Sequence, residues 1–192
     1  MSAIETLSLY QKVQLLSTVD RSAFNKLCNL NREYSEICNG TLPPSIIRQY
    51  GTLTETMYEN RVKKFFDEDI QKFAEPGMTW REFYQRISKL YEEFEKIFFS
   101  NTIYMDILLE SYCKENKLME LKIISNIKTP SGQKLLPDPE IGLYYAVVNN
   151  NVEFLKWLIS EGIMPEKIDY DNALVKNHQD IVNIILSVNP TF

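Results

Sequence analysis

The chain has little of what chemistry at a protein site usually requires. Its 192 residues include one histidine, His178, three cysteines and six glycines. A single histidine leaves a His-ligated zinc centre short of ligands. Three cysteines, odd in number and without a C-x-x-C spacing, make no disulfide framework. Cys28, Cys38 and Cys113 are therefore expected as buried free thiols in a reducing compartment, the cytoplasm. The scarcity of glycine argues against a glycine-rich phosphate loop. Positive charge is not in excess either: 26 acids against 21 bases give a net charge of −5, which excludes a broad basic surface for nucleic acid. Long apolar runs are missing. The most apolar segment, 97–109, is broken by Ser100, Asn101, Thr102 and Asp106, whereas a membrane span needs about 20 mostly apolar residues. The opening MSAIETLSLYQKVQLL has neither the basic start nor the unbroken apolar stretch of a secretory signal. No cofactor, metal, membrane or nucleic acid is expected, and the protein is read as one that works by contact rather than by catalysis.

What the chain does have is helical periodicity. Hydrophobic residues make up 44% of it, enough for a core, and they recur at i, i+3 and i+4. Leu9, Val13 and Leu16 share one face in 7–17. Ala23, Phe24, Leu27 and Cys28 share another in 22–30, with Asp20 or Ser22 as its N-cap. Tyr34, Ile37 and Cys38 mark a short helix over 33–38 that Gly40 is placed to end. After Pro43-Pro44, helices are expected over 45–50, ended by Gly51, and over 58–66. The firmest helix starts at Thr79, where Glu82 completes a capping box. Trp80, Phe83, Tyr84, Ile87, Leu90, Tyr91, Phe94, Ile97 and Phe98 then follow at helical spacing, as the hub of a core. Helix pairs are expected at 104–114 and 117–126, at 140–149 and 152–161, and at 171–176 and 179–187, with a turn-rich loop at 129–139. No stretch alternates at period two for long enough to build a sheet. The fold class is all-α, organised as 1–42, 43–100 and 101–192. The first segment balances four acids with four bases, and 101–192 carries twelve acids against eight bases.

The last third repeats itself. AVVNNNVEFLKWLI (146–159) aligns with ALVKNHQDIVNIIL (173–186): Ala146 meets Ala173, Asn150 meets Asn177, and Phe154, Leu155, Leu158 and Ile159 meet apolar residues. A weaker copy lies at 108–126, with Tyr112 or Cys113 at the alanine position. These copies resemble the ankyrin repeat, including Asn177-His178 where that family commonly has Gly-His. They stand 27 residues apart instead of about 33 and lack its T-P-L-H opening. The resemblance implies a short α-solenoid in which small Ala lets paired helices approach closely.

Residues 7–38 resemble an F-box-like segment: Leu15-Leu16 match the end of its opening helix, Phe24 and Leu27 its second, and Leu30-Asn31-Arg32-Glu33-Tyr34 with Ile37 its ending. Together with YENRVKKFF (58–66) and MTWREFY (78–84) ahead of ankyrin-like repeats, this order is similar to short proteins that giant double-stranded DNA viruses encode in paralogous sets. The resemblance implies a helical interaction protein in the host cytoplasm. Its N-terminal face of Leu9, Val13, Leu16, Phe24 and Leu27 would dock a Skp-type adaptor of a ubiquitin ligase, while the repeats bind a target protein. The alternative is a virion-associated structural or assembly protein. The same apolar face is equally accounted for by packing within the chain.

Residues that invite a sharper reading have simpler ones. His178 fits a turn of the repeat. Asp67-Glu68-Asp69 lacks the glycine and third ligand of a calcium loop and suits the start of a helix over 68–74. Arg61, Lys63 and Lys64 sit among acids and read as a solvated helix face. Trp80 falls on the core spacing of its helix. Trp157 stays open between packing and partner contact.

Overall fold

A computed structural model describes residues 4, 6–50, 52–66, 68–98, 103–126 and 139–192. Among the described residues the fold is all-α: thirteen helices and no strand. The chain divides into two compact units, Met1–Ser88 and Lys89–Phe192.

The first unit holds α1 (Leu9–Thr18), α2 (Arg21–Cys28), α3 (Arg32–Asn39), α4 (Pro44–Tyr50), α5 (Leu53–Phe65), α6 (Glu68–Gln71) and the start of α7 (Trp80–Phe98). Local chemistry sets most boundaries. Ser8 and Gln11 form a capping box at α1, Asp20 accepts the Ala23 amide at 2.9 Å at α2, and Asn31 accepts the Tyr34 amide at 3.2 Å at α3. Gly40 ends α3 at φ +68°, a left-handed conformation that costs residues with a Cβ roughly 1–2 kcal/mol. The Thr79–Glu82 box opens α7: Thr79 N–H donates to Glu82 Oε2 at 3.0 Å and Glu82 N–H to Thr79 Oγ1 at 3.2 Å. The Thr79 N–H bond, together with a second from the Thr79 hydroxyl to Glu82 Oε2 at 2.9 Å, holds the Glu82 carboxyl below its ordinary pKa. The expected break at Gly51 lies outside the described residues.

Three expectations need correction here. The helix expected over 58–66 begins at Leu53, and the one expected over 68–74 is a single turn. Arg61 is not on a solvated face: it is 1% exposed. Its guanidinium donates to the Leu16 and Val19 carbonyls and, at 2.9 Å, to the Tyr84 hydroxyl, and it lies 3.9 Å from the Phe24 ring centre. The reason is α1, whose last carbonyls have no partner within the helix. A forked cation in the second half of α5 supplies donors there and complements the negative end of the helix dipole. Lys64 adds a bond to the Thr18 carbonyl. The end of α3 is treated likewise, by Thr54 to Ile37 O at 2.8 Å, Tyr58 to Cys38 O at 2.9 Å and Arg81 to Asn39 O at 2.8 Å. α5 thus packs on both α1 and α3 and answers the carbonyls at both of their ends.

The third correction is that Cys28 and Cys38 are joined by a disulfide, with Cα atoms 5.8 Å apart. α2 and α3 fold back on each other and bring together two cysteines that sequence spacing leaves unrelated. Cys113 is free and buried.

The second unit is a run of three helical hairpins: α8 (Ile103–Lys114) with α9 (Leu118–Asn126), α10 (Pro139–Val148) with α11 (Val152–Ser160), and α12 (Lys167–Val175) with α13 (Gln179–Val188). α12 starts four residues before the expected 171. The first helices pack in one row, α8 on α10 on α12, and the second helices in another, α9 on α11 on α13. All three hairpins turn through an asparagine in the left-handed region, Asn116, Asn150 and Asn177, at φ 51°, 55° and 58°. Asparagine tolerates that region better than other side chains. After it, the next amide reaches back to the first helix: Lys117 to Tyr112 O at 3.0 Å, Asn151 to Ala146 O at 2.8 Å, His178 to Ala173 O at 2.9 Å. This settles the register of the weakest copy, with Tyr112 at the alanine position.

The residue after each of the last two asparagines ties its hairpin to the one before. Asn151 Nδ2 donates to Cys113 O at 3.0 Å. His178 Nδ1 lies 2.9 Å from Val147 O, and since a carbonyl only accepts, the proton is on Nδ1. Cys113 and Val147 are equivalent positions, so the two side chains do one job. The core between the rows is made of Leu109, Cys113, Leu121, Ile124, Leu143, Ala146, Val147, Phe154, Leu155, Leu158, Ala173, Ile181 and Ile185, all buried.

Candidate protein-recognition surface

The single imidazole bonds a neighbouring hairpin, and burial pushes the Cys113 thiol up to about 12. Among the described residues no three His, Cys, Asp or Glu side chains stand close enough to hold a metal ion, and no helix is long and apolar enough to cross a membrane.

The N-terminal face places its residues unequally. Val13, Leu16 and Phe24 are buried, and Phe24 meets the Tyr58 and Tyr84 rings edge-on, with centres 6.0 and 5.9 Å away. Leu9 and Leu27 are half-buried. Most of this apolar stripe is turned into the unit's own core. What is open nearby is a hollow between α1 and α5, bordered by Tyr10, Gln11, Gln14, Leu53, Thr56, Asn60 and Lys64. Trp80 is half-buried against Phe83. Trp157, also half-buried, stacks on Phe154 at 5.7 Å with Lys122 over its ring. Its counterparts Ile123 and Ile184 are buried and half-buried, so packing accounts for most of its surface.

The helical pairs expose apolar side chains elsewhere. Nine residues before each turn asparagine stands an isoleucine: Ile107, Ile141 and Ile168. Ile107 is 57% exposed and Ile168 65%, and Ile141 between them is half-buried. Because α8, α10 and α12 are neighbours in one row, the three isoleucines form a line across it. Tyr144, one turn after Ile141, is 46% exposed, and Met164, ahead of α12, is 62% exposed. Isoleucine on an exposed helix face contributes nothing by burial and has a lower helix propensity than alanine. Grouped exposed apolar side chains mark interaction sites.

Between α10 and α12 this line dips into a groove of about 450 Å³. Its apolar walls are Ile141, Leu143, Tyr144, Tyr145, Met164 and Ile168, and Glu140, Glu166 and Asp169 add carboxylates. Asp169 is buried and accepts the Glu166 amide at 2.8 Å. Burial raises its pKa, the Glu166 amide bond opposes the rise, and the Glu166 and Glu140 carboxylates add to it. The sequence held a signal for this line: extending the repeat alignment five residues towards the N-terminus brings Ile141 onto Ile168.

No family model matches the chain, and neither a curated protein nor a solved structure matches it.

Proposed function

We propose that the protein acts by protein–protein recognition, without a reaction of its own, and that its helical pairs carry the recognition surface. The observation behind this is the line of isoleucines at equivalent positions of α8, α10 and α12, exposed at Ile107 and Ile168 and half-buried at Ile141, flanked by Tyr144 and Met164. The tethers from Asn151 and His178 support it, because they fix successive hairpins to each other and so hold the line in a set geometry. A rigid, pre-formed surface loses little conformational entropy on binding. The ankyrin-like sequence of the repeats agrees with this function. In the adaptor version, the F-box-like segment 7–38 contacts a Skp-type component of a ubiquitin ligase while the hairpins hold a target. That contact would use the hollow around Tyr10 and the half-buried Leu9 and Leu27, since Val13, Leu16 and Phe24 are interior.

Proximity labelling with the full chain, compared with an Ile107→Ser/Ile168→Ser variant, tests the general proposal. The variant is expected to lose a defined subset of labelled proteins. An unchanged set at equal expression overturns it. The adaptor version has its own test in mixing purified chain with a purified Skp-type adaptor, where absence of a complex on a sizing column refutes it.

A further inference from the structure

The groove between α10 and α12 combines an apolar floor with carboxylates. Buried or rim carboxylates beside an open apolar surface are costly to leave together: Asp169 is buried, and both Glu140 and Glu166 act on it electrostatically. A cation brought into such a site meets a field already in place and gains from its low-dielectric walls. The wider charge distribution points the same way. Residues 1–88 carry eleven acids and eleven bases, whereas residues 89–192 carry fifteen acids and ten bases. All the net charge of the chain therefore lies in the unit that holds the groove. The one lysine on α12, Lys167, is engaged by Asp171 at 2.9 Å and lies 4.8 Å from the Tyr170 ring.

Other occupants fit less well. An anionic membrane, a nucleic acid or an acidic peptide would face like charge. A neutral apolar ligand gains nothing from the acidic charge of the unit that holds the groove. A second copy would bring either the same acidic unit or one with no net charge.

Resting on the recognition function above, we propose that this groove docks a basic amphipathic segment of a partner protein. Apolar residues of that segment pack on Ile141, Tyr144, Met164 and Ile168, and its Lys or Arg side chains reach Glu140 and Glu166. The apolar contacts supply most of the affinity, and the charges supply selectivity and association rate.

The test uses the full chain and three fluorescent peptides of equal length: a Leu/Lys amphipathic helix, its Leu/Glu counterpart, and a Lys peptide with the leucines scrambled off one face. Anisotropy titrations at about 0.15 M salt are expected to show the Leu/Lys peptide binding about tenfold or more tightly than either control. Glu140→Gln/Glu166→Gln and Ile168→Ser/Met164→Ser variants should each weaken that binding about tenfold, with circular dichroism and melting temperature as controls for folding. Equal binding of the Leu/Glu or scrambled peptide refutes the proposal, as does affinity unchanged in both variants. If labelling is lost in Ile107→Ser/Ile168→Ser but the peptides show no charge preference, recognition by the hairpins stands and the basic partner falls. If the peptide preference holds while labelling is unchanged, the groove assignment stands and the wider functional proposal falls.

Discussion

Replacing Arg61 with methionine should destabilise the first unit even though it removes a buried charge. Arg61 gives its donors to the Leu16 and Val19 carbonyls and the Tyr84 hydroxyl, all neutral acceptors. Methionine is close in volume and relieves the desolvation of the guanidinium, a gain of a few kcal/mol where a buried ion is exchanged for a well-packed apolar residue. The exchange is incomplete here, because the backbone carbonyls cannot be replaced along with it. Two stranded acceptors cost about 1–3 kcal/mol each, and the cation over Phe24 at 3.9 Å adds about 1–2 kcal/mol in a desolvated site. The losses outweigh the gain by about 2–3 kcal/mol. With a urea slope of about 1.5 kcal/mol/M, the midpoint should fall by about 1.5–2 M. The chain carries one tryptophan in each unit, Trp80 and Trp157. Trp80 fluorescence in a Trp157→Phe background then reports on the unit that holds Arg61. Arg61→Lys keeps the charge but not the fork and should fall between the two. A methionine variant as stable as the parent, or more so, would refute the reasoning. It would mean that the α1 carbonyls find other donors and that the buried cation is a net cost.

Other predictions concern single features. His178→Asn should keep the tether to Val147, as Asn151 does to Cys113, whereas His178→Leu should cost about 1 kcal/mol by stranding a carbonyl, read by thermal melting. The Cys28–Cys38 link closes a loop of ten residues and should contribute about 2–3 kcal/mol in the chain-entropy account. A Cys28→Ser/Cys38→Ser protein should melt correspondingly lower, and the oxidised parent should gain 2 Da on reduction, one hydrogen per thiol. Cys113, with its thiol pushed up to about 12, should resist iodoacetamide in the folded state and react on unfolding. Asp169 has a folded pKa raised by burial, so the native state binds its proton more tightly than the unfolded state. Its contribution to stability therefore falls as pH rises from the ordinary aspartate range through the raised value. Asp169→Asn should be relatively most stabilising at neutral pH, with the difference in melting temperature shrinking as pH is lowered through that window.

Much of the fold is legible in the sequence because it depends on local chemistry. Asp20, Gly40 and the Thr79–Glu82 pair act on groups within three or four residues, and their positions give the ends of α2, α3 and α7 directly. Helical period gives the buried faces of α1, α7, α11 and α13. The features that were not legible depend on partners far along the chain. Arg61 sits in a run of mixed charge that reads as surface, and nothing local announces that α1, some 45 residues earlier, ends in carbonyls needing donors. The disulfide follows from the packing of α2 on α3, which brings the C-terminal ends of the two helices together. The early start of α12 escapes the sequence for a different reason: Ile168 is exposed and Asp169 buried, so its first turn inverts the pattern that periodicity looks for. The groove between α10 and α12 inherits that difficulty, since its apolar residues lie on the face where polar ones are expected.

The three turn asparagines are separated by 34 and 27 residues, yet all three hairpins close with the same set of bonds. The seven-residue difference in spacing therefore leaves the turns unchanged. Lengthening a connection costs little, since closure entropy grows only with the logarithm of its length. A hairpin together with its tethering residue is consequently a portable unit. One more copy spliced in at such a connection should bring its own turn, its own bond to the preceding helix and one further isoleucine, extending the exposed line without redesign of its neighbours.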